Sequence, residues 1–289
     1  MIIGTVILLV GTIIAGGGIE TIMQSLVAEN PEFISPFGAD GSLTPLYVSS
    51  FWILIGLGVI GLPQIAVRAM SYKDSKSLHR AILIGTIGIG TIMFGMHLIG
   101  VLSRPVLPGI EVADTLMPLL TLQVLPPVLA GIVLAAPMAA IMSTVNALLI
   151  LVSSTVVKDI YLNFVNPQAS DAQIKIRSFW VTTIIGLSVV VFALNPPEFL
   201  IWLNLFAFGG LESAFLWSVV FGLYWKKANK YGSVASMIVG LTLYISIDRL
   251  APHVFGMHTV TIPIFASLVT FVVVSLLARK MKNIPDYHF

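Results

Sequence analysis

Eight long runs of mostly apolar residues, separated by shorter polar stretches, are the dominant pattern along the chain. A run of about 20 such residues is long enough to cross a bilayer as a helix. We name the runs spans A to H in chain order, and they cover residues 2–18, 48–67, 81–102, 125–157, 178–194, 199–225, 231–249 and 259–278. The pattern predicts an all-α fold, a polytopic membrane helix bundle with about eight spans, forming a single membrane domain over residues 1–289.

Lysine and arginine are unevenly distributed among the connections between these spans. The B–C, D–E and F–G connections and the C-terminal tail hold 13 of the 15 basic residues, and the alternate connections hold only Arg104 and Arg249. Because basic residues accumulate in cytoplasmic loops, this alternation predicts that both termini of the chain are cytoplasmic. It also places two short helical stretches, IETIMQSL (19–26) and VADTLMPLL (112–120), on the outer side.

The composition narrows the classes of protein that fit. Of the 289 residues, 57% are hydrophobic and 10% are charged, whereas soluble domains carry about 25% charged residues. The chain has no cysteine, which excludes disulfides, thiolate metal sites and cysteine nucleophiles. We find no basic stripe with interleaved aromatic residues, no nucleophile–base pair and no metal-ligand cluster. The sequence therefore predicts an integral membrane protein that is not an enzyme and does not bind nucleic acid.

Span B contains a signal for a broken helix. Its sequence GLGVIGLPQIAVR places three glycines shortly before Pro63, the last of them at Gly61. Proline lacks an N–H group and clashes with the carbonyl one turn earlier, and glycine leaves helical angles readily. Such breaks mark substrate and ion sites in secondary transporters, but a proline kink used only for packing is the alternative. The sequence leaves both interpretations open.

Span D is longer than one simple span requires. Either the helix tilts and projects into water, or its prolines divide it. Those prolines are Pro126, Pro127 and Pro137.

Span D also carries hydroxyl groups on an otherwise apolar surface. Ser143 and Thr144 lie three and four residues after Ala140, and positions with this spacing share one face of a helix. The Ala140 carbonyl and the two hydroxyls are therefore expected to converge on one point of a buried stripe. Hard cations prefer oxygen ligands of this kind, so a sodium site is one interpretation. The alternative is that the hydroxyls only bond their own helix or a neighbouring helix.

Span F holds Glu212, the one carboxylate that the pattern places well inside a span. An ionisable residue at that depth is a candidate functional residue that faces the bundle interior. Asn204 and a Gly–Gly pair add a polar zone one to two turns earlier. The alternative is that Glu212 bonds a neighbouring helix or lies near enough to an interface to stay hydrated.

These stretches resemble the solute:sodium symporters along essentially the whole chain. The resemblance rests on GLPQIAVRAMSYKDSKSLHRA (61–81), on LAAPMAAIMSTVNALL (134–149) followed by VKDIY (157–161), and on IWLNLFAFGGLESAFLW (201–217). Three shorter segments, AVRAMSYKDSK, LAAPMAAIMST and WLNLFAFGGLE, are similar to the pantothenate branch of that family.

The resemblance implies an inverted-repeat fold of five plus five core helices. Span A matches the fifth core helix, spans B to F match the sixth to tenth, and spans G and H are peripheral. The first four core helices have no counterpart, so the resemblance implies a partial chain, the C-terminal portion of a symporter. It further implies a multi-pass location in a bacterial inner membrane.

The resemblance also implies a function and its residues. We expect sodium-coupled uptake of pantothenate, with sodium as the coupling ion, no other cofactor, and the lipid bilayer as surroundings. The family's sodium ligands on the eighth core helix match the Ala140 backbone oxygen and the hydroxyls of Ser143 and Thr144. Its mid-membrane substrate region matches the break in span B and part of span F. The residues there are Gly61, Pro63, Gln64, Asn204, Phe206 and Glu212.

Two alternatives to this function stay open on the sequence. In the first, the chain belongs to a sodium symporter of another small solute, such as proline, another carboxylate or a sugar. In the second, it is a truncated fragment without transport. Competition in uptake assays separates the first alternative from pantothenate transport.

Overall fold

The computed structural model describes residues 1–38, 43–196, 200–252 and 254–282, and over these residues the regular structure is entirely helical. We number the α-helices in chain order. They are α1 (Ile2–Ala15), α2 (Ile19–Glu29), α3 (Pro45–Trp52), α4 (Pro63–Met70), α5 (Ser75–Val106), α6 (Leu116–Val124), α7 (Pro127–Ser154), α8 (Asp171–Ala193), α9 (Leu200–Tyr224), α10 (Lys230–Leu250) and α11 (Thr261–Lys282). The predicted first residue of span F, at 199, lies outside the described residues.

Among the described residues, six helices are long and apolar enough to cross a bilayer, namely α5, α7 with its π-helical continuation, α8, α9, α10 and α11. Two bent pairs also pass this test as combined segments. One joins α1 to α2 at 69°, and the other joins Pro45–Gly61 to α4 at 50°. The described residues thus give six spans, or eight if each bent pair is one span. The prediction of an all-helical, polytopic membrane bundle is confirmed.

Both predicted short helical stretches are helical, and one of them, α2, is also half of a bent pair that is long and apolar enough to cross. IETIMQSL lies in α2, and VADTLMPLL forms a 3₁₀ turn at Ala113–Thr115 followed by α6. The side of the membrane on which they lie stays a prediction.

The start of α5 shows how a local polar residue sets a helix boundary. Asp74 lies just before α5, and its Oδ1 accepts the Ser77 N–H at 2.7 Å. This satisfies an N–H that has no partner inside the helix. The same hydrogen bond holds the pKa of the exposed Asp74 carboxyl below its usual value.

The chain forms two compact units, and one of them comprises Met1–Leu26 and His79–Leu200. Its core is a cluster of buried aliphatic residues from α1, α5, α6 and α7: Leu8, Ile99, Leu120 and Val133. Between α7 and α8, the Ser153 hydroxyl donates to the Ser178 carbonyl at 3.1 Å. The other unit comprises Val27–Leu78 and Ile201–Phe289. That both units belong to one membrane domain stays a prediction.

Helix α7 resolves one alternative from the sequence. Pro127 occupies the first turn, where the missing N–H removes no helical hydrogen bond. Pro137 lies inside the helix without ending it, and a π-helical segment, Thr155–Val165, continues the same rod. The prolines therefore do not divide span D, and the single long helix is the alternative that the structure supports.

The unit that contains the break in span B is held together by apolar packing and a few buried hydrogen bonds. Its core is Leu54, Leu216, Tyr244, Val260 and Ile264. The Trp217 indole N–H donates to the Ile264 carbonyl at 2.8 Å, and the Asn229 amide donates to the Ser275 carbonyl at 2.8 Å. These bonds connect α9 and the N-cap residue of α10 to α11.

Candidate functional site

The break predicted in span B is present, and it lies at Leu62. This residue has extended backbone angles, φ −76° and ψ 117°, and Pro63 is the first residue of α4. Proline at that position disfavours the helical region for the residue before it and removes no helical hydrogen bond in the following turn. The Leu62 carbonyl is not left bare, since it accepts the N–H groups of Ile65 at 2.9 Å and Ala66 at 3.1 Å.

The stretch before the break is irregular as well. Residues Ile53–Leu57 form a π-helical segment, and Gly58–Gly61 form a 3₁₀ turn. The span therefore passes through α-helical, π-helical, 3₁₀ and extended backbone within little more than ten residues. We define this stretch, Ile53–Leu62, as the irregular segment of span B.

Two glycines allow the irregular segment to pack directly on α9. A Cβ added at Gly61 would lie 2.7 Å from the Leu216 backbone nitrogen and 2.8 Å from its Cα. A Cβ added at Gly58 would overlap the Glu212 carboxyl group. Because only glycine lacks a Cβ, these positions fix how closely the segment approaches α9. The structure thus brings together two of the predicted substrate regions, the break and the Glu212 turn.

Glu212 lies in α9, and its side chain is completely buried, with 0% exposure. Neither carboxyl oxygen has a hydrogen-bond partner among the described residues. This burial agrees with the prediction that the carboxyl group faces the interior. The two alternatives, a hydrogen bond to a neighbouring helix and hydration near an interface, do not fit these contacts. Its role as a substrate ligand stays a prediction.

A cavity of about 470 Å³ opens beside the same helices. The Phe206 ring lines it and packs on the Tyr244 ring at a centroid separation of 5.6 Å. The Tyr244 hydroxyl donates to the Leu205 carbonyl at 3.4 Å. Volumes of this size are typical of small-molecule sites. The residues that line the cavity are Tyr47, Trp202, Leu203, Leu205, Phe206, Tyr244, Asp248, Arg249, Pro252, His258 and Thr259.

Only part of the predicted substrate set lies at this cavity. Phe206 lines it, whereas Asn204 has an exposed side chain and is not among the lining residues. Gly61 is buried, and Pro63 and Gln64 are half-buried away from the cavity lining. These three residues belong to the break instead.

The polar lining of the cavity was not predicted from the sequence. Asp248 and Arg249 are adjacent at the end of α10, and His258 and Thr259 lie just before α11. One available signal was Arg249, which is one of two basic residues outside the predicted cytoplasmic loops. His258 and Thr259 gave no such signal, because their proximity to α10 depends on the connection between two helices.

The three predicted sodium ligands lie on α7, and their oxygens are close together. The Ser143 Oγ donates to the Ala140 carbonyl at 2.9 Å, and the Thr144 Oγ1 donates to the same carbonyl at 3.1 Å. A hydroxyl that donates its proton keeps lone pairs with which to accept or coordinate. The expectation of a buried stripe does not hold for the described chain, since Ser143 and Thr144 are exposed and Ala140 is half-buried. Bonds of the hydroxyls to their own helix also match the alternative interpretation, so the sodium site stays a prediction.

The sequence of the chain is similar to known transporters along nearly its whole length. The pattern of the Sodium:solute symporter family matches residues 1–240. A sodium/pantothenate symporter of Haemophilus influenzae is 49% identical over 282 residues, which cover 97% of this chain and 58% of the relative. A sodium/pantothenate symporter of Escherichia coli is 48% identical over 274 residues, covering 94% of this chain and 57% of the relative.

A more distant relative has another substrate in its name. A sodium/proline symporter of Haemophilus influenzae is 31% identical over 278 residues, covering 89% of this chain and 52% of the relative. The chain thus spans less than three fifths of the length of each of these three curated relatives.

Proposed function

Since the chain belongs to the sodium:solute symporter family, we propose that the protein takes part in sodium-driven uptake of pantothenate across a bacterial inner membrane. The observation that carries this proposal is the similarity to two sodium/pantothenate symporters, which is close to one residue in two over 94–97% of the chain. The sodium/proline symporter is less similar, at 31% identity. This difference favours pantothenate over proline as the substrate.

The proposed sodium site uses the oxygens of Ala140, Ser143 and Thr144. Their convergence at 2.9 and 3.1 Å supports this role, because a hard cation needs several oxygens around one point. All three are neutral ligands, so the bound ion keeps its positive charge. An inward-negative potential acts on each net charge by about 2.3 kcal/mol per 100 mV. Because pantothenate is an anion, its transfer with one sodium ion is neutral, and its transfer with two sodium ions is driven by the potential.

The proposed substrate region uses the break in span B and the facing part of α9. The break leaves non-helical backbone at Leu62, and such backbone is tolerated in a membrane only where it lies against protein or a polar cavity. Gly61 and Pro63 flank this backbone, Gln64 follows in α4, and the proposed residues of α9 are Asn204, Phe206 and Glu212. The binding of sodium and the binding of pantothenate are then coupled. A ligand that stabilises one conformation of the protein raises the affinity for another ligand that prefers the same conformation.

The proposed sodium ligands can be tested by uptake measurements. In the complete gene product, Ser143→Ala and Thr144→Ala each remove one oxygen, and we expect the sodium concentration for half-maximal pantothenate uptake to rise about tenfold. The matched control is Thr155→Ala, because this hydroxyl donates in the same way to a carbonyl four residues earlier, Leu151, at 3.1 Å. Labelled pantothenate uptake against sodium concentration is the measurement.

Three outcomes would contradict parts of the proposal. An unchanged sodium dependence in both variants would exclude these hydroxyls as ligands. Inhibition of the uptake by unlabelled proline at lower concentration than by unlabelled pantothenate would favour the proline alternative. Uptake that does not depend on sodium, with the protein present in the membrane, would reject the function itself.

A further inference from the structure

The surroundings of Glu212 restrict what its carboxyl group can bind. Its side chain is fully buried, and both of its oxygens lack a hydrogen-bond partner among the described residues. An ionised carboxylate without a partner is strongly disfavoured inside a protein or a bilayer, because it loses its hydration. The group therefore needs a positive ligand or a proton.

The packing leaves little room for a metal ion. The carboxyl group lies against Gly58 so closely that a single Cβ there would overlap it. No group of three or more histidine or acidic side chains that could hold a metal occurs among the described residues. The neighbouring Ser213 hydroxyl is also buried without a hydrogen-bond partner, so it is not directed at the carboxyl oxygens. A proton is the one cation that needs no further ligands and no additional space.

Among the described residues, none donates a hydrogen bond to the Glu212 carboxyl group. The irregular segment presents Gly58, which has no side chain. On α10, the Tyr244 hydroxyl donates to the Leu205 carbonyl at 3.4 Å. Beyond Tyr244, the titratable residues of the cavity are Tyr47, Asp248, Arg249 and His258.

We propose that Glu212 is a proton-binding site, which holds the irregular segment of span B against α9 only while the carboxyl group is protonated. Binding converts the carboxylate and a hydronium ion into a neutral carboxylic acid and water. Loss of the proton leaves a bare negative charge against Gly58, and this charge favours separation of the segment from α9 and entry of water. Proton binding follows from the packing alone and does not depend on the proposed function.

A second consequence does rest on the proposed function. Pantothenate is an anion, and an ionised Glu212 in the substrate region would repel it. A neutral carboxylic acid carries no such charge, and because the Glu212 side chain is fully buried, this repulsion is removed without any contact between Glu212 and the substrate. Protonation of Glu212 is therefore expected to accompany the substrate-binding state.

Infrared spectroscopy of the complete protein in liposomes tests the proton directly. A neutral carboxylic acid gives a carbonyl band that an ionised carboxylate does not, and this band shifts in heavy water. We expect such a band near neutral pH in the natural protein, its loss over one titration step at higher pH, and its absence in Glu212→Gln. The matched control is Glu111→Gln, because Glu111 is exposed and its removal should leave the band in place.

The outcomes decide the proposal even if the glutamine variant folds poorly. Absence of the band in the natural protein at every pH above 6 overturns it, and so does a band of full intensity in a folded Glu212→Gln protein. Loss of the band on replacing choline chloride by sodium chloride at constant pH also overturns it, because the site then holds sodium.

In uptake measurements Glu212→Gln should flatten the pH profile. Absence of uptake in the natural protein would reject the proposed function and leave the spectroscopic result standing.

Discussion

The hydroxyl group of Ser50 connects the first half of span B to the segment before α11. It accepts the His258 N–H at 2.7 Å and donates to the Tyr47 carbonyl at 2.8 Å. The His258 ring packs between two aromatic rings of α3, at centroid separations of 5.6 Å from Tyr47 and 5.3 Å from Phe51. The Ser50 hydroxyl and the two aromatic rings thus hold His258 against α3.

Replacing Ser50 tests this contact at the scale of one residue. In Ser50→Ala the buried His258 N–H loses its acceptor, and we expect a loss of about 1–3 kcal/mol in the free energy of unfolding. Thermal unfolding in detergent measures this loss. The control is Ser49→Ala, because the Ser49 hydroxyl is exposed and donates only within its own helix, to Pro45 at 2.7 Å. Equal effects of the two substitutions would show that the bond to His258 does not stabilise the protein.

At the scale of elements, the features that could be predicted from the sequence are those that depend on a few adjacent residues. The break at Leu62 follows from Pro63 and the glycines before it, and the convergence of the Ser143 and Thr144 hydroxyls on Ala140 follows from helix spacing. The π-helical turn at Ile53–Leu57 carries no such local signal. It depends on how the span packs on other helices, as does the exposure of the two hydroxyls.

The same distinction applies to the candidate site. The depth of Glu212 in span F was readable from the length of the apolar run, but the absence of a hydrogen-bond partner depends on which atoms the neighbouring span presents. The cavity beside Phe206 was not predicted, because its lining comes from three separate parts of the chain.

The close approach of the irregular segment to α9 can be tested by adding one methyl group. In Gly61→Ala the new Cβ would lie 2.7 Å from a backbone nitrogen, so the two elements must separate, and we expect a loss of about 1–3 kcal/mol. Gly56→Ala is the control, since a Cβ there meets no atom within 4 Å. Thermal unfolding in detergent is the measurement. If Gly61→Ala is no less stable than Gly56→Ala, the close packing of the segment is wrong.

At the scale of the whole molecule, the number of membrane crossings depends on the two bent pairs. In the part of the chain that the structure describes, six helices are long enough by themselves, and the bent pairs raise the number to eight only if each crosses. The alternation of basic residues predicts that both do. In a re-entrant arrangement the two ends of a bent pair would lie on the same side.

Cysteine labelling distinguishes these arrangements, because the natural chain has no cysteine. We introduce Glu32→Cys and Lys76→Cys, exposed positions on either side of span B. A membrane-impermeant maleimide added to intact cells should label Glu32→Cys, whereas Lys76→Cys should react only after permeabilisation. Glu111→Cys is the control and should behave like Glu32→Cys. Labelling of Lys76→Cys in intact cells would mean that Pro45–Met70 does not cross.

The undivided rod formed by α7 and its π-helical continuation has a mechanical consequence. Its α-helical part alone, the 28 residues Pro127–Ser154, extends roughly 42 Å at the rise of an α-helix, which exceeds the roughly 30 Å of the hydrocarbon layer. The π-helical continuation, Thr155–Val165, adds further length at one end. A small rotation about a pivot inside the bilayer would therefore move the Val165 end through a larger arc than the atoms near the pivot.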